Sequence, residues 1–308
     1  MRVLFWGTPD FATPALLALL GEGFEVAGVV TQPDRPVGRS RSRLEAPPVK
    51  RIALAESVPV LQPERPRGDE FVAEIAAVHP DVSVVVAYGH ILSSDVIALP
   101  RLGTINIHAS LLPLLRGAAP IQAAIREGHA ETGVTIMRMV KALDAGPSIL
   151  QVRTPIPDDE TSGELQLRLA EMGALALIEA LALLDLGRAV ETPQDESRAT
   201  YAPKIDRSMT IVDWSADASE IGRLIRAYDP RPGALTHASS GEVKLFGARI
   251  GVGTGEPGEV LAVDDRGMTV ACGTGAVRIT SVHPAGKRRV APQEWARGRG
   301  VHLGERLF

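Results

Sequence analysis

A chain of 308 residues exceeds what one hydrophobic core comfortably organises, so two domains are expected. Its hydrophobic fraction of 45% is that of a folded protein, and a formal charge of −4 carries no global sign of nucleic-acid binding. A single cysteine, Cys272, excludes an intrachain disulfide framework and fits a reducing compartment, and no histidine stands at metal-ligand spacing from cysteine or carboxylates. No apolar run is long enough to span a bilayer, and residues 1–7 read as a first strand instead of a signal peptide. A soluble, cytoplasmic protein without a metal is therefore expected.

Short apolar runs alternate with helical patterns through the first part of the chain, which is how a parallel α/β sheet looks in sequence. Strands are expected at 3–6, 26–31, 82–87 and 104–108, with helices at 15–20, 49–55 and 70–78. Residues 134–140 and 149–156 flank a tight turn at Asp144-Ala145-Gly146-Pro147, as in a hairpin whose loop presents Asp144. A helix over 162–186 follows, capped by Ser162 and stopped by Gly187. Residues 1–187 thus read as one domain, the polar stretch 188–206 as a linker, and 207–308 as a second domain. There an amphipathic helix at 218–227 precedes short strands at 243–246, 258–263, 268–271 and 276–282, the spacing of a small β-barrel. From Pro203 onward 15 basic residues face 12 acidic ones, against 18 and 25 before it, so only local clusters carry a nucleic-acid argument.

Gly7-Thr8-Pro9-Asp10-Phe11 lies where a dinucleotide fold places its phosphate loop, but it lacks the second and third glycines of that fingerprint. Arg35, Arg39, Arg41 and Arg43 share one segment without apolar period; it reads as a solvated loop or as a phosphate-binding cluster. Tyr88, Gly89, His90, Ile91 and Leu92 follow a central strand, where an open α/β sheet binds ligands. The richest run is Asn106-Ile107-His108-Ala109-Ser110-Leu111-Leu112-Pro113. Because strand side chains repeat every second residue, Asn106 and His108 leave one face and Ile105 and Ile107 the other. An amide and an imidazole aimed at one point can hold a carbonyl oxygen as it becomes an oxyanion. A carboxylate such as Asp144 can set the imidazole's charge or accept a proton. No nucleophile is built in, since Ser110 lacks a Gly-flanked elbow. Taken singly, either polar residue reads as a satisfied group near a loop.

Asn106 to Pro113, together with Leu143-Asp144-Ala145-Gly146, resembles the defining pattern of the folate-dependent formyltransferases. Gly7 to Phe11 resembles the opening of their methionyl-tRNA formyltransferase branch, and the resemblance continues through Thr200-Tyr201-Ala202-Pro203-Lys204 and Val212-Asp213-Trp214. It implies a Rossmann-like N-terminal formyltransferase domain with a smaller C-terminal OB-like β-barrel. It also implies transfer of a formyl group from 10-formyltetrahydrofolate to the α-amino group of methionyl initiator tRNA, for translation initiation. On this resemblance Asn106, His108 and Asp144 are catalytic. Ser110, Leu111, Leu112, Pro113 and the loop Tyr88, Gly89, His90, Ile91, Leu92 bind the folate. Arg35, Arg39, Arg41 and Arg43 contact tRNA on this resemblance, while Lys204, Lys287, Arg288 and Arg289 read as contacts to the tRNA backbone or as a solvated charged turn, and no metal, membrane or obligate protein partner is implied. The chain departs from the pattern at Ser40 to Arg43, at Leu114 and Leu115, and at Asp229 and Arg231. A transferase acting on a small amine would share the polar trio, whereas a protein that only binds tRNA or folate would have no need of it.

Overall fold

The computed structural model describes residues 1–37 and 43–308. They form two compact units, one of residues 1–117, 132–154 and 166–201, the other of residues 118–131, 155–165 and 202–308.

In the first unit seven strands make one sheet: β1 (Arg2–Gly7), β2 (Glu25–Val30), β3 (Val60–Leu61), β4 (Val82–Val86), β5 (Thr104–His108), β6 (Glu131–Arg138) and β7 (Ser148–Pro155). Their order is β7-β6-β5-β4-β1-β2-β3. The strands from β5 to β3 pair in parallel, and β6 joins β5 antiparallel. Helices α1 (Thr13–Gly21), α2 (Pro48–Ala55), α3 (Asp69–Ala77) and α4 (Ser94–Ala98) make the connections. β4 is buried along its whole length and β1 from its second residue on, which is why both read as unbroken apolar runs. The one polar residue of β4, Ser83, accepts a hydrogen bond from the Trp6 indole at 3.1 Å, so neither buried group is left unpaired.

Helix α6 (Ser162–Asp185) presents Leu169, Gly173, Leu177 and Leu181 at four-residue spacing, all buried. A Cβ added at Gly173 would stand 2.9 Å from Ile107 Cγ2. Glycine there lets the helix backbone press on the back of β5, which fixes the strand whose other face carries Asn106 and His108. Gly173→Val should overpack this contact and destabilise the fold by about 1–3 kcal/mol, read from a urea unfolding curve.

The second unit holds α5 (Pro120–Arg126), α7 (Ala218–Ala227), α8 (Pro292–Arg297) and a five-stranded antiparallel sheet. Its strands are β8 (Ala234–Ala238), β9 (Gly241–Gly251), β10 (Val260–Asp264), β11 (Gly267–Ala271) and β12 (Ala276–Pro284), in the order β8-β9-β12-β11-β10. Ile221 and Ile225 of α7 pack with Trp214, Val243, Leu245, Val277 and Trp295 in its core. This is the small β-domain expected after the α/β domain. The structure adds α5, β8 and α8 to the expected elements and extends β9 well beyond 243–246. The sequence of β8, Ala-Leu-Thr-His-Ala, has little intrinsic strand preference, and pairing along β9 holds it extended.

Candidate active site

β5 ends at the carboxyl edge of the parallel strands, the edge at which open α/β sheets bind ligands. His108, its last residue, is buried, and its Nε2 lies 2.9 Å from the Leu115 carbonyl oxygen. A carbonyl only accepts, so Nε2 carries a proton and Nδ1 is the ring nitrogen left for chemistry. Nδ1 faces Asp144 Oδ2 at 3.7 Å. That oxygen also accepts the Gly117 N–H at 2.8 Å, while Oδ1 has no partner among the described residues. Asp144 holds a left-handed backbone with φ of +47°, uncommon outside glycine. The half-buried amide of Asn106 has no hydrogen-bond partner among the described residues. The structure thus brings His108 and Asp144 together and leaves a free amide two residues away on the same face of β5.

The loop after β5 is held from behind. Thr135 of β6, paired opposite His108, donates to the Ser110 carbonyl at 2.7 Å and accepts the Leu112 N–H at 3.2 Å. Gln151 of β7 donates to the Leu112 carbonyl at 2.7 Å and to Thr135 Oγ1 at 3.1 Å. Ser110 Oγ donates to the Leu114 carbonyl at 2.5 Å, which leaves it poorly placed as a nucleophile. Leu111 and Leu112 are buried and Pro113 is half-buried. Leu115, also buried, serves the site through its backbone: its oxygen holds His108 and its N–H donates to Thr200 Oγ1 at 2.8 Å.

Of the second expected ligand loop, Tyr88 and Leu92 turn into the core. The Tyr88 ring meets Trp6 edge-on at 5.3 Å, and burial pushes its phenol up to about 12, so it is neutral at physiological pH. Its carbonyl accepts from Thr8 Oγ1 at 3.1 Å and Gln32 Nε2 at 2.9 Å, tying the ends of β1, β2 and β4. What the loop offers outward is the exposed Gly89 and His90 and the side chain of Ile91, 92% exposed.

Among the basic residues, Arg35 donates to Gln32 Oε1, and the exposed side chain of Arg43, whose backbone pairs with Val37, has no hydrogen-bond partner among the described residues. Arg39 and Arg41 lie outside the described residues. In the second unit Lys204 and Lys287 are exposed and unpaired among the described residues, and Arg288 pairs with the exposed Glu294 at 2.7 Å. Arg289 is engaged within its unit, 4.0 Å over the Phe246 ring and bonded to Ser281 and Asp229. Asp229 also accepts the Gly247 N–H at 2.8 Å, a structural role for this departure from the pattern.

Sequence reasoning missed Thr135, Gln151, Arg116 and Gln194. For Arg116 a signal existed: an arginine between the apolar stretches 111–115 and 118–121 announces a buried cation.

A family model described as formyl transferase matches residues 1–181, and one described as formyl transferase, C-terminal domain matches residues 204–300. A protein of Aromatoleum aromaticum named methionyl-tRNA formyltransferase is 49% identical, over 100% of this chain and 97% of its own. One of the same name from Moorella thermoacetica is 45% identical, over 100% of this chain and 99% of its own. The chain belongs to the methionyl-tRNA formyltransferase family. The α/β unit and the antiparallel second unit accord with these two family models, one for each end of the chain. The same fold recurs in HypX from Aquifex aeolicus in complex with tetrahydrofolic acid, at a TM-score of 0.71 and 23% identity over 97% of this chain and 47% of that one. It recurs again in the sugar 3N-formyl transferase WlaRD, at a TM-score of 0.69 and 16% identity over 94% and 99%.

Proposed function

We infer that this chain transfers the formyl group of 10-formyltetrahydrofolate to the α-amino group of methionyl initiator tRNA. Full-length identity of nearly half to relatives named for that reaction carries the reading. The donor set of the site suits it: an N-formyl group needs an N–H for its oxygen, and the attacking amine needs a proton acceptor. The free Asn106 amide and the free Oδ1 of Asp144 meet those needs. The amine nitrogen bonds to the formyl carbon while the Asn106 amide and the His108 ring hold the oxygen on which charge develops. Asp144 Oδ2 faces the imidazole at 3.7 Å, and Oδ1 takes the proton the amine loses. The formyl carbon then parts from the folate nitrogen, which takes up the proton that Asp144 received from the amine, and the residues 110–113 and 88–92 hold the folate throughout.

The first unit carries this chemistry. Arg35, Arg39, Arg41 and Arg43, and on the second unit Lys204, Lys287 and Arg288, are the proposed tRNA phosphate contacts. Among the described residues no helix is long and apolar enough to cross a membrane, and a tRNA acceptor fits a cytoplasmic reaction.

The experiment is product identification: 10-formyltetrahydrofolate, methionyl initiator tRNA and the protein, followed by mild alkaline release and mass spectrometry. N-formylmethionine is expected with charged tRNA and none with deacylated tRNA; no formylated amino acid would refute the reading. Thr135→Val keeps the side-chain shape but removes the bonds that hold the 110–113 loop, so KM for the folate donor should rise about 10-fold with a smaller effect on kcat. Replacing Lys204, Lys287 and Arg288 together by alanine should weaken tRNA binding and lower the slope of log K against log salt by about 2–3, measured by fluorescence titration over a KCl series.

A further inference from the structure

Arg116 is 2% exposed, and its guanidinium donates four hydrogen bonds to two side chains. Its Nε and Nη2 donate to Gln194 Oε1 at 3.1 and 2.8 Å, and its Nη1 and Nη2 donate to the Glu196 carboxylate at 2.9 and 2.7 Å. The Glu196 side chain is 67% exposed, so the pair is anchored from the surface inward. A guanidinium only donates, so it obliges Gln194 to turn its oxygen toward Arg116 and its NH2 the other way. Both N–H bonds of that NH2 end on the turn that carries Asp144: Nε2 lies 2.8 Å from the Asp144 carbonyl and 2.7 Å from the Gly146 carbonyl.

The neighbours of Arg116 in the chain complete the arrangement. The Leu115 carbonyl accepts from His108 Nε2, and the Gly117 N–H donates to Asp144 Oδ2. Leu115 and Gly117, on either side of Arg116, therefore fasten the two members of the His108–Asp144 pair, and Gln194 fastens the backbone from which Asp144 projects. That backbone is left-handed at Asp144, a conformation that persists in a non-glycine residue only where its surroundings hold it.

We propose that Gln194, oriented by Arg116, is a positioning residue for formyl transfer: it holds the Asp144 turn so that the carboxylate faces His108 Nδ1. The proposal rests on the role given to Asp144 above. Gln194 touches no reacting atom and acts only through the turn.

Gln194→Glu is the sharpest variant, because it keeps the shape and the contact with Arg116 but sets a carboxylate oxygen against two carbonyls. Measured on the full chain with methionyl initiator tRNA and 10-formyltetrahydrofolate, kcat should fall about 10- to 100-fold while both KM values stay unchanged. In an Asp144→Ala background, single-turnover rates should show no further loss on adding Gln194→Glu, because the group it positions is gone. A merely structural role would instead lower the unfolding midpoint and cost the same factor in both backgrounds. Parental kcat in Gln194→Glu, or equal loss in both backgrounds, overturns the proposal. Should Gln194→Glu not fold, Glu196→Ala carries the same test, since it removes only the exposed anchor of Arg116 and should produce a smaller loss with the same non-additivity; additivity there overturns the proposal. Crippled Asp144→Ala beside fully active Gln194→Glu would defeat this inference alone. Normal turnover in Asp144→Ala would defeat the site reading as well.

Discussion

Asn106→Ala and His108→Ala each lower kcat by about 100- to 1000-fold, the cost of one donor to a developing oxyanion, with tRNA affinity unchanged. The two side chains reach the reaction differently. Asn106 is free among the described residues, so its loss disturbs nothing else. His108 has its Nε2 committed to the Leu115 carbonyl, so its loss also leaves that buried acceptor unpaired. His108→Ala should therefore show a lower unfolding midpoint as well as the rate loss, whereas Asn106→Ala should show only the rate loss. Asp144→Ala belongs with them, since it removes the partner of Nδ1 and the proton acceptor together. Single-turnover formylation at saturating donor, with circular dichroism as the folding control, separates these effects. Near-normal rates in two of the three variants would rule out the mechanism.

Trp6→Ala should destabilise the protein by about 3–5 kcal/mol, measured by urea unfolding. The side chain is fully buried within a cluster of Leu4, Val30, Phe71, Val85, Tyr88 and Leu92. Phe71 and Tyr88 meet its ring edge-on at 6.0 and 5.3 Å, and its indole N–H is the donor that satisfies Ser83. Truncation opens a cavity, removes two aromatic contacts and leaves a buried hydroxyl short of a partner. Because the cavity borders Tyr88, whose carbonyl ties the 88–92 loop to Thr8 and Gln32, donor binding should weaken along with stability. A loss below about 1 kcal/mol would mean that the core relaxes around the gap and that this cluster does not hold the loop.

The central α/β order was legible because β1 and β4 are buried runs that leave no ambiguity of period. The common face of Asn106 and His108 was legible because strand alternation is a local rule. The meeting of His108 with Asp144 was not, since it depends on antiparallel β6 returning the chain to the edge of β5. Arg116 stands close after the 106–113 run, but its work depends on Gln194 and Glu196, far along the chain in a stretch read as a linker. Tyr88 shows the opposite limit: a residue placed beside ligand by its loop position puts its ring into the core, and only its backbone neighbours face outward. β8 was invisible because pairing, not composition, makes it a strand.

The central claim is that charged tRNA, and not a small amine, accepts the formyl group. The most direct test compares, in one preparation, kcat/KM for formylation of methionyl initiator tRNA, charged elongator tRNA, free methionine and a nucleotide-linked amino sugar. Efficient transfer to the initiator tRNA and none to the amino sugar or free methionine are expected. Preferred transfer to the amino sugar would contradict that claim.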